Sequence, residues 1–395
     1  KEAFISTPTK SLFSLKSIFS TSSFQLLIFL SGLVINKFVA VFSGPTGIAL
    51  FGVIKNFHIF FGSILKLGAD NVIISRASKA PSFSAQRELI LSILKLCFFQ
   101  IIFILFAYVA LNDLIYDLVF QSLIPYEDRW IVRLILILIF FTTFSELMVS
   151  FFNGLLDLKK VFVAGFAGSI FTMIIAILIK PNTIFEISFL ALSSGLISAL
   201  ILIFFLIKNS YIFSFKSDKD NKDPQTQLPI SIPLLIQPIL VSSSFLIIQN
   251  LIGSSYGTKE LSFFVLCTTL IGVIMSLIMA SGRMYFLPKL GSLTVPGDRN
   301  KFFQTNIFFF LSVALVTTII IFFFSPLIIK ILYSEEFLES ALMLSLFSST
   351  LILKSFEWII AISAWERNRY KIYIVPEFTR EILYIFSCYT CIYLQ

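Results

Sequence analysis

The sequence is short of the residues that most chemistry needs. Of its 395 residues one is histidine, four are cysteine and only 13% are charged, against roughly 25% charged in an average soluble domain. A lone His58 cannot assemble imidazole-based acid and base chemistry or a zinc site, because both need partners that are absent. Of Cys97, Cys267, Cys388 and Cys391, the last two have CxxC spacing. They lie in an apolar run with no second pair, so they read as small apolar residues facing lipid rather than as a metal or redox pair. No catalytic residue, metal or cofactor is expected. The net charge of +8 does not point to nucleic acid either, since no basic patch is interleaved with polar surface as groove binding requires.

What fills the chain is apolar: 57% of residues are hydrophobic and 48 are Phe. That surplus exceeds what one globular core can bury, but lipid accepts it in runs of about 20 residues. Such runs predict an all-α integral membrane protein with about eleven transmembrane helices, over 12–42, 46–70, 88–111, 131–155, 160–180, 184–207, 230–254, 260–284, 303–332, 340–363 and 374–394. Strands are excluded because the runs do not alternate. The first run is too long for the core of a signal peptide and reads as a permanent helix. Gly44-Pro45, Lys180-Pro181-Asn182 and Val295-Pro296-Gly297 separate several spans with turn residues. One polar linker, 208–229, divides a six-helix N-terminal lobe (1–207) from a C-terminal lobe (230–395).

Alternate loops differ in basic residues. On the side of the N-terminus lie 19 Lys and Arg, from Lys1 to Lys371, and on the other 6: Lys37, Arg129, Arg133, Lys180, Lys259 and Lys330. The positive-inside rule therefore puts the N-terminus in the cytoplasm. The halves also read as a repeat. Gly47–Phe51 lies 213 positions before Glu260–Phe264, and the same offset aligns Gly68–Arg76 with Ser281–Lys289. Two periods of six helices would need about 426 residues, which predicts a twelfth helix missing at the C-terminus.

Charge inside a membrane helix is costly and marks function by default. Lys55, His58, Gly62 and Lys66, spaced 3, 4 and 4 apart, share one face of the second helix. Asn36, with Lys37 at its edge, lies on a polar face of the first helix, Gln249 on the seventh and Arg283 on the eighth. Together they suggest a cationic cleft suited to an anionic, phosphate-bearing substrate. Each residue has a blander reading. Lys37 and Lys66 can snorkel to the interfaces, Arg283 can anchor a cytoplasmic end, and Lys55 can reach headgroups if its helix starts late. His58 fits an ordinary hydrogen-bonded interior residue. Glu146 and Glu357 are candidate cation or proton sites, which interhelical salt bridges explain equally well.

Ser31–Lys37, followed by Phe42-Ser-Gly-Pro-Thr-Gly-Ile-Ala-Leu-Phe-Gly52 and Asn56-Phe57, resembles the opening of bacterial O-antigen and lipid III flippases. Asn153-Gly154-Leu155 ahead of Lys159-Lys160, and Arg283–Lys289, are similar landmarks. The resemblance implies the multidrug/oligosaccharidyl-lipid/polysaccharide exporter fold: two six-helix lobes in a V, with access alternating between the two sides. It implies an undecaprenyl-pyrophosphate-linked oligosaccharide as substrate, the bacterial inner membrane as location, and membrane lipids, a polysaccharide polymerase and chain-length proteins as partners. Lys37, Lys55 and Arg283 are then the residues for the pyrophosphate. A missing twelfth helix would depart from that pattern. Two other readings stay open. A cation-coupled multidrug exporter of the same fold would favour acidic or neutral linings, and a membrane glycan polymerase or ligase would favour larger outer loops than Asn112 to Trp130.

Overall fold

A computed structural model describes residues 15–78, 80, 82–155, 157–208, 232–292, 296–366 and 370–393, with side chains described over fewer of them and not over 15–29, 280–296 or 362–374. The described residues form helices throughout. Hydrocarbon offers no partner for a backbone N–H or C=O, so each run closes its hydrogen bonds within itself. Nine stretches are long and apolar enough to cross a membrane. The first of them, Leu30–Lys66, bends at Gly44, and α13 (Tyr370–Tyr393) is a further 24-residue helix. Dividing the first and adding α13 gives the eleven helices expected, in a multi-pass membrane protein.

Helix α1 (Leu15–Lys66) consists of two arms joined at Gly44, whose φ of 60° and ψ of −153° lie where only glycine sits without strain. Pro45 then opens the second arm, its fixed φ suiting a first helical position. The second arm ends at Lys66, four residues before the expected end. Leu67 and Gly68 adopt positive φ there, and the short α2 (Ala69–Ala77) sets off separately.

The region between Asn112 and Trp130, expected as a loop, is helical for half its length. Helix α3 (Phe83–Phe106) runs on through a π-helical turn (Ala107–Leu111), the four-residue α4 (Asn112–Ile115) and a second π turn (Tyr116–Phe120). Asn112, Asp113 and Asp117 suggested solvent. The wide π turns instead keep Ile115, Tyr116 and Phe120 buried, with Phe120 edge-on to Phe57 at 5.3 Å and the Tyr116 hydroxyl donating to the Ile124 carbonyl at 2.8 Å.

The remaining helices are α5 (Trp130–Gly154), α6 (Leu158–Ile179), α7 (Ile184–Lys208), α8 (Ile232–Tyr256), α9 (Thr258–Ser292), α10 (Pro296–Leu332), α11 (Ala341–Ser348) and α12 (Thr350–Glu366). Their starts repeat at the spacing seen in the sequence: Phe83 and Pro296 are 213 apart, Leu158 and Tyr370 are 212 apart. The linker 208–229, beyond Lys208, lies outside the described residues.

One side of the bundle carries the Gly44 bend, the α6–α7 turn at Lys180 and the α8–α9 turn at Gly257; it is termed the Gly44 face, and the opposite side the Lys66 face. Near the Gly44 face the two sets of helices share one apolar core, which joins Ile54 and Phe57 of α1 to Leu266 and Ile271 of α9. Gly52 of α1 meets Val265 of α9, its equivalent 213 positions on, so closely that an added Cβ would lie 2.1 Å from Val265 Cγ1. Two polar ties cross the same seam: Lys37 Nζ donates to the Ile331 carbonyl at 2.6 Å, and Asn250 Nδ2 to the Leu118 carbonyl at 3.0 Å.

Helices in lipid gain little from burying apolar surface against one another, so close backbone approach matters. At Gly168 a Cβ would lie 2.7 Å from the Ser194 carbonyl oxygen of α7, which is backbone and cannot swing aside. Gly168→Val is therefore expected to lower the stability of the purified protein by about 1–3 kcal/mol, the usual cost of overpacking, read as an earlier thermal unfolding midpoint. Gly32→Ala, with nothing within 4 Å of the new Cβ, should leave the midpoint in place; equal effects would disprove the packing argument.

Candidate functional site

Four ionisable side chains meet where α1, α2 and α5 come together, and a glycine lets them. Gly62 on the second arm of α1 faces Thr143 of α5, and a Cβ there would come within 2.9 Å of Thr143 Cγ2. That close approach brings Glu146, one turn further along α5, between His58 and Lys66. Lys66 Nζ donates to Glu146 Oε2 at 2.7 Å and lies 3.0 Å from Asp70 Oδ2. His58 Nε2 stands 3.7 Å from Glu146 Oε1, and that nitrogen has no hydrogen-bond partner among the described residues. Gln100 of α3 donates to the Leu65 carbonyl at 3.0 Å, holding a third helix to the same turn of α1.

Lys55 occupies the same stripe, nearer the Gly44 face. Ten residues past Pro45, it sits about 15 Å along the helix, inside a stretch long and apolar enough to cross a membrane. Its Nζ lies 4.1 Å from the centroid of the Phe51 ring. No carboxylate partners it among the described residues. A cation over an aromatic face gains some electrostatic attraction while its donors remain available.

The other expected residues are placed elsewhere. Asn36 is buried, and Lys37 is exposed and spent on the last turn of α10 through Ile331, where a helix C-terminus welcomes a cation. Gln249 of α8 is buried, and neither atom of its amide has a hydrogen-bond partner among the described residues. Arg283 belongs to α9, and its side chain lies outside the described residues. Glu357 of α12 accepts from Arg380 of α13, which also reaches Glu381 at 2.5 Å and Glu377 at 3.5 Å. Ser244 of α8 donates to Glu381.

Sequence reasoning therefore brought Lys55, His58 and Lys66 together correctly as one stripe and missed what holds it. Asp70 is a carboxylate four residues after Lys66 at the very end of the expected span 46–70, where the spacing alone gives it no partner. Glu377, Arg380 and Glu381 were also visible, as three charges inside an apolar span. Among the described residues no group of three His, Cys, Asp or Glu side chains is placed to hold a metal ion.

No protein-family model matches the chain, and no curated protein does. Solved structures do. The inward-facing conformation of a multidrug resistance MATE family transporter of the MOP superfamily superposes with a TM-score of 0.71 over 92% of this chain and 88% of that one, at 14% identity. The chain has the fold of these transporters. The outward-facing conformation gives a TM-score of 0.66 at 14% identity over 95% and 87%. A MOP superfamily transporter from Pyrococcus furiosus, described as having a binding pocket of reverse polarity that suggests a different function, gives 0.64 at 13% identity over 95% and 88%.

The Lys66 pair is part-buried, where hydrogen bonds to charged groups contribute about 1.5–3 kcal/mol. Lys66→Met and Glu146→Gln are each expected to lower stability, and the double variant to lose about 1 kcal/mol or more less than their sum, since partners in direct contact do not add. A thermal double-mutant cycle checks this; strict additivity would show that the two side chains do not support each other.

Proposed function

We propose that the protein is a flippase that moves an undecaprenyl-pyrophosphate-linked oligosaccharide from one leaflet of the bacterial inner membrane to the other by alternating access. The observation that carries this reading is Lys55: a cation inside an apolar stretch long enough to cross a membrane, unpaired by any carboxylate among the described residues, on a helix shared with His58 and Lys66. Such a group is costly unless it faces a hydrated space or meets an anion. A diphosphate supplies the anion. Its charged head and sugars cannot cross hydrocarbon unaided, whereas its polyprenyl tail stays in lipid, so the protein need carry only the head and break no bond.

Several features support the same reading. The fold is shared with transporters caught both inward-facing and outward-facing. The seam near the Gly44 face is held by apolar contact and by two polar ties. If the Lys66 face is cytoplasmic, as the basic loops suggest, this arrangement would be closed to the outside. In this proposal residues 1–207 and 230–395 are the two rocking lobes, and Lys37 guards the seam while Lys55 and Arg283 contact the pyrophosphate. A glycan polymerase and chain-length proteins would follow as partners downstream.

A second reading, a cation-coupled multidrug exporter, is favoured by one observation: Glu357, Glu377 and Glu381 outnumber Arg380 and Lys354 in their cluster. Acidic linings suit cationic drugs. Simultaneous Ala replacement of Lys37, Lys55 and Arg283 separates the two. In a strain lacking its own flippase, the flippase reading expects surface glycan to fall by at least about tenfold, or 1.4 kcal/mol in transition-state terms, with drug tolerance unchanged. Intact glycan export would remove the reading.

A further inference from the structure

We propose that the corner where α3 and α5 meet at the Gly44 face binds the phosphate of an anionic glycerophospholipid, and that Arg133 is the residue that takes it. The occupant is a lipid of the phosphatidylglycerol class in the leaflet on that side. The site is separate from the stripe on α1, since Arg133 and Glu146 lie about 20 Å apart along α5.

The two π turns that follow α3 build the corner. An extra residue in each turn changes the face that the helix presents beyond it, and each turn delivers one tyrosine. Tyr116, in the second, donates to the Ile124 carbonyl and meets the Tyr126 ring edge-on at 6.0 Å, which pins the connection to α5. Tyr126 in turn carries Arg129: the guanidinium lies 4.4 Å from the ring centroid, donates to the Tyr126 hydroxyl and stands 3.6 Å from Asp113. Tyr108, in the first π turn, lies under Arg133, with the guanidinium 5.2 Å from its ring centroid.

Arg133 is the uncommitted member of the pair. It is exposed, and no carboxylate partners it among the described residues. Three other cations of this face are spent: Lys259 on Glu339 at 2.6 Å, Lys330 on Glu335 at 2.9 Å and Lys37 on the Ile331 carbonyl. A ring beneath a guanidinium leaves its N–H fork free to hold a phosphate through two parallel hydrogen bonds. Like charges four residues apart on a helix repel, and an anion beside Arg129 and Arg133 relieves that repulsion. The surroundings select a lipid over a soluble anion. Trp130, one turn before Arg133, stacks on Phe185 of α7 at 5.9 Å, and aromatic rings of this kind gather at the level of the headgroups. On the membrane side of Arg133, Val109 is 80% exposed, and Leu105, Phe106 and Ile137 are exposed with it. Acyl chains have an apolar surface there, directly below a free cation.

The test is native mass spectrometry of the purified full chain in detergent, with phosphatidylglycerol, phosphatidylcholine and farnesyl diphosphate as separate probes. Wild type is expected to bind phosphatidylglycerol more tightly than phosphatidylcholine. Arg133→Gln should lose about tenfold in phosphatidylglycerol affinity, or 1.4 kcal/mol, and with it the preference. Lys259→Gln, which removes a paired cation of the same face, should bind as wild type does. Where Arg133→Gln fails to fold, three further variants carry the test: Tyr108→Phe keeps the ring and the affinity, Tyr108→Leu weakens binding, and Arg133→Lys, with the charge but not the fork, weakens it too. Equal affinities of wild type and the Arg133 variants would overturn the site. So would equal losses in Arg133→Gln and Lys259→Gln, which would reveal a diffuse field over the whole face. Tighter binding of farnesyl diphosphate than of phosphatidylglycerol, lost in Arg133→Gln, would overturn the phospholipid as occupant.

Discussion

The absence of water from the bilayer core governs this molecule. It forces the backbone into helices, removes most of the hydrophobic force that would press those helices together, and makes every charge at depth expensive. The chain answers the second problem with small residues and hydroxyls. Thr172 and Ser193 share a hydrogen bond at 2.9 Å between α6 and α7, and Ser325 and Ser345 share one at 2.8 Å between α10 and α11. Ser198 donates to the Ala164 carbonyl at 3.0 Å, beside the Gly168 contact. Each such bond contributes about 0.6 kcal/mol on average in membrane proteins, so the lobes are held by many weak contacts rather than a few strong ones.

The third problem is answered differently in the two halves. In the first, the stripe on α1 has two lysines and a histidine against two carboxylates, and Lys55 is left without one. In the second, Arg380 on α13 meets three carboxylates, two of them buried, with Lys354 of α12 acting on the same cluster. The two sets of helices thus differ in how they balance the charge they place inside. Their backbones have kept the period, as Phe83 with Pro296 and Gly52 with Val265 show, while the residues facing the interior have diverged.

The spans were legible because a run of about 20 apolar residues in lipid admits one backbone answer. Trp130–Gly154 and Ile184–Lys208 begin and end within a residue of expectation. Misreadings arose where local composition and tertiary setting disagree. Asn112, Asp113 and Asp117 look like a loop, yet two π turns keep alternate faces of the same segment buried and exposed. The face shared by Lys55, His58 and Lys66 follows from helical period alone. That Glu146 would stand between two of them does not, because it depends on how closely α5 approaches Gly62, and no spacing in the sequence encodes that distance. Lys37 shows the same limit, since its proximity in sequence to a polar face gave no sign that its ammonium would be taken by a carbonyl on α10.

The seam near the Gly44 face is held in two ways of unequal weight. The Lys37 and Asn250 ties each reach a backbone carbonyl across it, and a hydrogen bond contributes only about 0.5–1.5 kcal/mol net. Gln249, one residue before Asn250, is 1% exposed and has no hydrogen-bond partner among the described residues, so the polar groups of this seam add little. Shape does more: the apolar core that joins Ile54 of α1 to Leu266 of α9 and the close approach of Gly52 to Val265 are the kind of tight packing on which helices in lipid depend.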